Sequence, residues 1–242
     1  MTFQHEYRLI PIDVCKYAIL SKKTRTVQIY FILNITFSGK CKLSSADISR
    51  ISDQLKITPK TFKSHLTKLI GWNWIGFNPK SGYCHIRGIN HIHRSVGVKT
   101  RSASEFMLKE ITHFKEYCIA TFVAYLINRQ KSERFRSERQ EARSNQNRDP
   151  NDITYNYVCL SVLANFLQIS KSSASRYIRL AAKKGYLKVD HVFTPLLGSH
   201  SGIPVSNYRD PRIRIRNKQV VIQEPNRMEH NLHLKRRKKL EP

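Results

Sequence analysis

The sequence predicts a mostly α fold with small β hairpins, an α+β chain built as two copies of one module, on three observations. First, residues 161–187, SVLANFLQISKSSASRYIRLAAKKGYL, carry two short stripes of helical period separated by a break at Gln168–Ser170. Leu163, Ala164, Leu167 and Ile169 form one stripe, and Ala174, Ile178, Ala181 and Ala182 the other. Second, the stretch recurs 112 residues earlier, where Leu55-Lys56-Ile57-Thr58 falls on Leu167-Gln168-Ile169-Ser170, and Phe62, Leu66 and Leu69 fall on Ala174, Ile178 and Ala181 without a gap. Third, strand-like residues follow both copies, Trp74-Ile75 in one and Tyr186-Leu187-Lys188-Val189 in the other. At 242 residues the chain can bury one large core or two ordinary ones, and the repeat decides for two.

Local chemistry justifies the helix boundaries. Ser170 and Thr58 each precede a helix whose first N–H groups have no partner within it, and their hydroxyls accept from those groups. Pro59 takes the first helical position, where its missing N–H costs nothing, and Gly185 suits the left-handed backbone that stops a helix. Helix, turn, helix, Gly, strand resembles the winged helix-turn-helix family. That resemblance implies a DNA-binding protein whose recognition helices are 59–70 and 171–184. The outward residues are Lys60, Thr61, Lys63, Ser64, Thr67 and Lys68 in the first, and Lys171, Ser172, Ser173, Ser175, Arg176 and Arg179 in the second. Short polar and cationic side chains suit phosphates and base edges. A plain helical hairpin with a solvated face has the same pattern, but a second basic copy is hard to explain by packing alone.

Charge points to the same class of partner. The net charge is +26, with 17 basic and 4 acidic residues in 1–104 and 26 basic and 13 acidic in 105–242, so both halves carry +13. Each domain is therefore expected to have its own polyanion footprint, double-stranded DNA. No basic segment has the wide apolar face of an interfacial helix, so no membrane partner is expected. The N-terminus lacks the apolar core of a signal peptide, and the apolar run Ile119–Ile127 is too short to span a bilayer, which predicts a cytoplasmic, nucleoid-associated protein. Five cysteines, Cys15, Cys41, Cys84, Cys118 and Cys159, are scattered with no C-x-x-C pair and read as reduced thiols. No Cys/His set has zinc-finger spacing, and neither a metal nor a cofactor is expected.

In chain order, Ile10-Pro11-Ile12 is expected to be extended and Val14–Leu20 a short apolar turn. A scaffold helix begins at Ser21-Lys22-Lys23-Thr24, closes at Ser38-Gly39-Lys40, and is followed by a helix capped by Ser44 or Ser45. His65, beside the apolar stripe of the first recognition helix, is expected to be structural. WNWIGFNPKSGYCHIRG reads as a hairpin turning at Asn78–Gly82, and the resemblance implies a wing whose Lys80 and Arg87 meet the phosphate backbone. The first domain is expected over 1–94, a linker over 95–104, a second domain over 105–225 and a basic disordered tail over 226–242. Within the second domain, Glu105 to about Arg143 reads as one long helix whose charged end projects into solvent, against DNA or against a partner chain, such as a second copy in a homodimer. Asn145–Asn156 reads as a loop, Tyr186–Phe193 starts a second wing, and Arg212, Arg214 and Arg216 line one face of an alternating strand.

Catalysis is not expected. His91-Ile92-His93 matches a nicking-nuclease metal motif and His91-x-x-Arg94 a recombinase box, but both motifs are short. The candidate nucleophiles Tyr117 and Tyr125 fall in an apolar helix, where Tyr is usually core. Sequence-specific recognition by two helices in successive major grooves is the expected activity, in a transcription regulator or a replication initiator of a bacterial genome or mobile element. A non-specific architectural binder is the alternative, favoured by the lysines of the first recognition helix.

Overall fold

The computed structural model describes residues 7–37, 39–97, 102–142, 160–191, 193–195, 213–216, 219–223 and 227–236. Among these residues the fold is α+β, with helices and four small sheets. In chain order the elements are β1 (Tyr7–Pro11), α1 (Ile12–Leu20), α2 (Thr24–Phe37), β2 (Lys40–Cys41), α3 (Ser45–Leu55), α4 (Pro59–Gly71), β3 (Ile75–Asn78), β4 (Tyr83–Ile86) and α5 (Ile89–Ser95). Then come β5 (Ser102–Met107), a 3-10 turn (Leu108–His113), α6 (Phe114–Ala142), α7 (Leu160–Leu167) and α8 (Lys171–Lys183). The chain closes with β6 (Leu187–Asp190), β7 (Phe193–Pro195), β8 (Ile213–Arg216), β9 (Gln219–Gln223), β10 (Arg227–His230) and β11 (Leu234–Arg236).

The turn between the paired helices repeats in its backbone hydrogen bonds. Ile57 N–H donates to Ser52 O and Ile169 N–H to Ala164 O, both at 3.0 Å, while Lys56 (φ 53°) and Gln168 (φ 50°) take the same left-handed backbone at the end of the preceding helix. Thr58 Oγ1 accepts from Thr61 N–H at 3.1 Å and Ser170 Oγ from Ser173 N–H at 3.2 Å. At the far ends Trp74 N–H donates to Leu69 O and Tyr186 N–H to Ala181 O, with Asn73 and Gly185 both at positive φ. Each pair is separated by the same 112 residues, so the repeat read in the apolar stripes is a repeat of backbone geometry. The inward residues Phe62, Leu69, Ala174, Ile178 and Ala181 are buried, Leu66 half-buried.

Ser44, not Ser45, caps α3. Its hydroxyl accepts from Asp47 N–H at 3.1 Å, and Asp47 Oδ2 accepts from Ser44 N–H at 3.1 Å, a reciprocal capping box. These Ser44 bonds, and then Arg50 at 3.2 Å, hold the Asp47 carboxyl below its ordinary range. A group depressed on folding contributes stability above its unfolded pKa and loses it as pH falls through the folded value. Ser44→Ala is therefore expected to cost about 1 kcal/mol at neutral pH, read from the urea midpoint. The gap from the parent should narrow once the pH falls below about 4; an unchanged gap would assign the loss to the hydroxyl alone.

Contacts divide the chain into two units, Met1–Tyr125 with Leu232–Pro242 and Leu126–Asn231, rather than at the boundaries set from sequence. In the first unit β2, β4 and β3 form one antiparallel sheet in the order β2-β4-β3 beside α2, α3 and α4, and β1-β5-β11 form another. The expected linker 95–104 is thus corrected. Residues 98–101 lie outside the described residues, and Ser102–Ser104 open the central strand of a sheet, pairing with β1 (Pro11↔Ala103) and β11 (Leu234↔Ser104). Small residues there fit a buried strand and look like a linker in composition, yet Ala103, Ser104 and Phe106 are fully buried.

The long helix predicted from Glu105 starts only at Phe114, because Glu105–Met107 complete β5 and Glu110 Oε2 accepts from Met107 N–H at 2.8 Å to close the 3-10 turn. Phe31 lies 6.2 Å from Phe106 and 5.8 Å from Phe114, which places this aromatic segment in the first unit's core and explains why the division falls inside α6. Val14–Leu20 belongs to a full helix, α1, not a turn.

In the second unit β6 pairs with β10 (Leu187↔His230), while β7, β9 and β8 make a separate sheet in the order β7-β9-β8. The strand beside β6 is thus Arg227–His230, while the arginine-bearing strand β8 pairs with β9. The expected tail also contains β11, so 227–230 and 234–236 are paired strands, with Met228 and Leu232 buried. Lys235 pairs with Glu105 and sits in that strand, apart from the expected free basic run; 237–242 lie outside the described residues. Cys15, Cys41, Cys84 and Cys118 are buried free thiols, and Cys159 lies outside the described residues. Burial first, then Cys84 and Asp47, pushes the Cys41 thiol up to about 11.

Candidate nucleic-acid interface

On α4, positions 60, 63, 64 and 67 follow the i, i+3, i+4, i+7 spacing of one helix face, and Thr61 and Lys68 flank it. Lys60, Thr61, Lys63, Ser64, Thr67 and Lys68 are all exposed. Two of the hydroxyls are already engaged: Thr61 Oγ1 is 2.9 Å from Thr58 Oγ1 in the cap, and Thr67 Oγ1 donates to Lys63 O at 3.1 Å. Each keeps acceptor capacity for a further partner. On α8, Ser172, Ser175, Arg176 and Arg179 have the same spacing. Lys171, Ser172, Arg176 and Arg179 are exposed, while Ser173 and Ser175 are half-buried. Ser173 belongs to the cap, since its Oγ accepts from Ser170 Oγ at 2.9 Å. Arg176 Cζ lies 5.7 Å from the Tyr177 ring centre, a loose cation–π contact, and the side chain is exposed.

The hairpin of β3 and β4 turns at Asn78, whose Oδ1 accepts from the N–H groups of Lys80 (3.0 Å) and Ser81 (3.3 Å), with Gly82 at φ 68°. A side chain at Gly82 would be strained by that backbone. Lys80 stands exposed at the tip. Arg87, one residue past β4, is half-buried, its Nε enclosed without a hydrogen-bond partner and its carbonyl accepting from Tyr30 Oη at 2.8 Å. It braces the hairpin base as well as offering charge. Sequence reasoning missed two aromatics here, Phe77 at 50% and Tyr83 at 40% exposure, with Lys40 Nζ 4.5 Å from the Tyr83 ring. Their alternation was legible, but not which side of the hairpin faces water.

Of the arginine row, Arg212 and the side chain of Arg214 lie outside the described residues. Arg216 is exposed, with Cζ 4.5 Å from the Phe193 ring. Among the described residues at the charged end of α6, Arg129 and Glu133 form an exposed ion pair at 2.7 Å; the side chains of Lys131 and of 134–142 lie outside the described residues, as does the expected loop 145–156.

His65 packs as expected, with Nδ1 2.8 Å from Thr26 Oγ1. His91 and His93 sit two apart on a helix, α5, where alternate side chains diverge. Among the described residues no group of three or more His, Cys, Asp or Glu is placed to hold a metal ion. Tyr117 is fully buried and its hydroxyl donates to Glu105 O at 2.7 Å; burial raises it far above its ordinary range. No described helix is long and apolar enough to cross a membrane. Compared with known protein families, curated proteins and solved structures, the chain matches none.

Proposed function

We propose that the chain is a sequence-specific double-stranded DNA-binding protein with two winged helix-turn-helix modules in tandem, acting as a transcription regulator or replication initiator. The observation that carries this reading is the repeated turn and helix, 112 residues apart, each copy presenting an exposed cationic and hydroxyl face from a helix whose other face is buried. The order α2, β2, α3, α4, β3, β4 with sheet order β2-β4-β3 supports a winged first module. For the second, α7, α8 and the β6–β10 pair supply the helices and wing base, with the β7–β9 segment inserted between the two strands. The first helix brings lysine point charges to phosphates, and the second brings arginine forks to guanine edges.

The test is selection of bound fragments from sheared genomic and mobile-element DNA at about 150 mM salt, where non-specific attraction is partly screened. Enriched direct repeats beside an AT-rich region make it an initiator, and inverted repeats over promoters make it a regulator. The absence of any enriched site overturns sequence specificity and leaves a charge-driven architectural binder. Replacing Lys60, Lys63 and Lys68 together by Gln is expected to weaken binding to all duplexes alike and to lower the slope of log K against log salt by about 3, one for each lost phosphate contact. An unchanged slope would remove α4 from the interface.

A further inference from the structure

The start of α2 and the end of α4 enclose an open cleft of about 350 Å3, walled by Lys22, Lys23, Arg25 and Lys68 with His65 and Trp72 between them. Its size is at the small end of small-molecule sites, roughly 300–1,000 Å3. Four cationic side chains line it and no carboxylate does. Such like charges repel unless an anion joins them. Two are already positioned. Lys23 Nζ donates to Tyr17 Oη at 3.0 Å and lies 4.5 Å from the Trp72 ring centre. Arg25 donates to Gln28 Oε1 at 2.8 Å and to Leu55 O at 3.3 Å. Lys22 and Lys68 are exposed at the rim. The cleft's field acts on its own histidine: burial, then Lys68 and Arg25, hold His65 below its usual range.

We propose that this cleft is a phosphate-binding site. A tetrahedral anion with several acceptor oxygens takes hydrogen bonds from several cations at once, whereas a single carboxylate leaves part of the charge uncompensated. The first turn of α2, whose opening amides have no partner within the helix, adds to the preference for an anion. The phosphate comes either from a free phosphorylated ligand or from a DNA backbone; the first source is independent of the DNA-binding reading and the second rests on it. The sequence marks Ser21-Lys22-Lys23-Thr24 only as the start of a scaffold helix, and the meeting of these lysines with Lys68 and Trp72 is a product of the fold.

The experiment follows the imidazole resonances of His65 in the full chain during titration with inorganic phosphate, with sodium chloride at matched ionic strength, and with a short duplex. Phosphate in the cleft offsets Lys68 and Arg25 and raises the pKa of His65. The double variant Lys22→Gln, Lys68→Gln, at two exposed positions, should weaken the response about tenfold while the circular dichroism of the fold stays unchanged. A response to inorganic phosphate assigns a free ligand, and a response to duplex alone assigns a backbone phosphate. No response to either, or one that the double variant leaves intact, overturns the site. Duplex binding that leaves His65 unmoved, with no response to inorganic phosphate either, removes this site and spares the DNA reading, whereas phosphate binding without duplex binding does the reverse.

Discussion

On the proposed function, replacing Arg176 and Arg179 together by alanine is expected to erase preference for a selected DNA site while leaving most of the charge-driven binding. Both side chains are exposed on the outer face of α8, three residues apart. A bidentate arginine-to-guanine contact discriminates by about 1–3 kcal/mol, so the pair is expected to lose about 100-fold or more in binding to the selected site. Non-specific binding depends on total charge, and these are two of 43 basic residues, so it should fall only slightly. Measured side by side at one salt concentration, the two affinities separate the roles. Equal losses on specific and random duplex would reduce α8 to a phosphate contact.

Phe62→Ala is expected to destabilise the first module strongly. The ring is fully buried on the inner face of α4. Truncating a buried Phe costs about 3–5 kcal/mol, because the transfer energy of the ring is lost and a cavity remains. Against a net stability of about 5–15 kcal/mol for a whole domain, that is a large share, and the variant should lose its cooperative unfolding transition or shift it far to lower urea. Lys63→Ala, at the next position but exposed, should change stability by less than about 0.5 kcal/mol while still weakening DNA binding. Equal stability losses in the two variants would mean that the burial pattern of α4 is misassigned.

The two modules were legible because the signals that make them are local. A hydroxyl at Thr58 or Ser170 caps an N–H three residues away, and Phe62 and Leu69 share a face because of the helical period. The hairpin of β3 and β4 was equally readable, since Asn78 and Gly82 close it within five residues. Ser102–Met107 reads in the sequence partly as a linker and partly as the start of a helix. What makes it a strand is pairing with β1, nearly a hundred residues earlier, and with β11, about 130 later. Separation along the chain also hid β10, whose partner Leu187–Asp190 precedes it by a whole inserted sheet.

The sequence by itself therefore determined the repeat, the capped helices and the cationic residues that face outward on them, all set by hydrogen bonds and periodicities spanning a few residues. Only the tertiary structure decided which strands pair, where α6 passes from one core to the other unit, and that Lys22, Lys23, Arg25 and Lys68 surround one cleft. Those outcomes depend on contacts between residues tens to more than a hundred positions apart, and no local pattern in the chain encodes such a meeting.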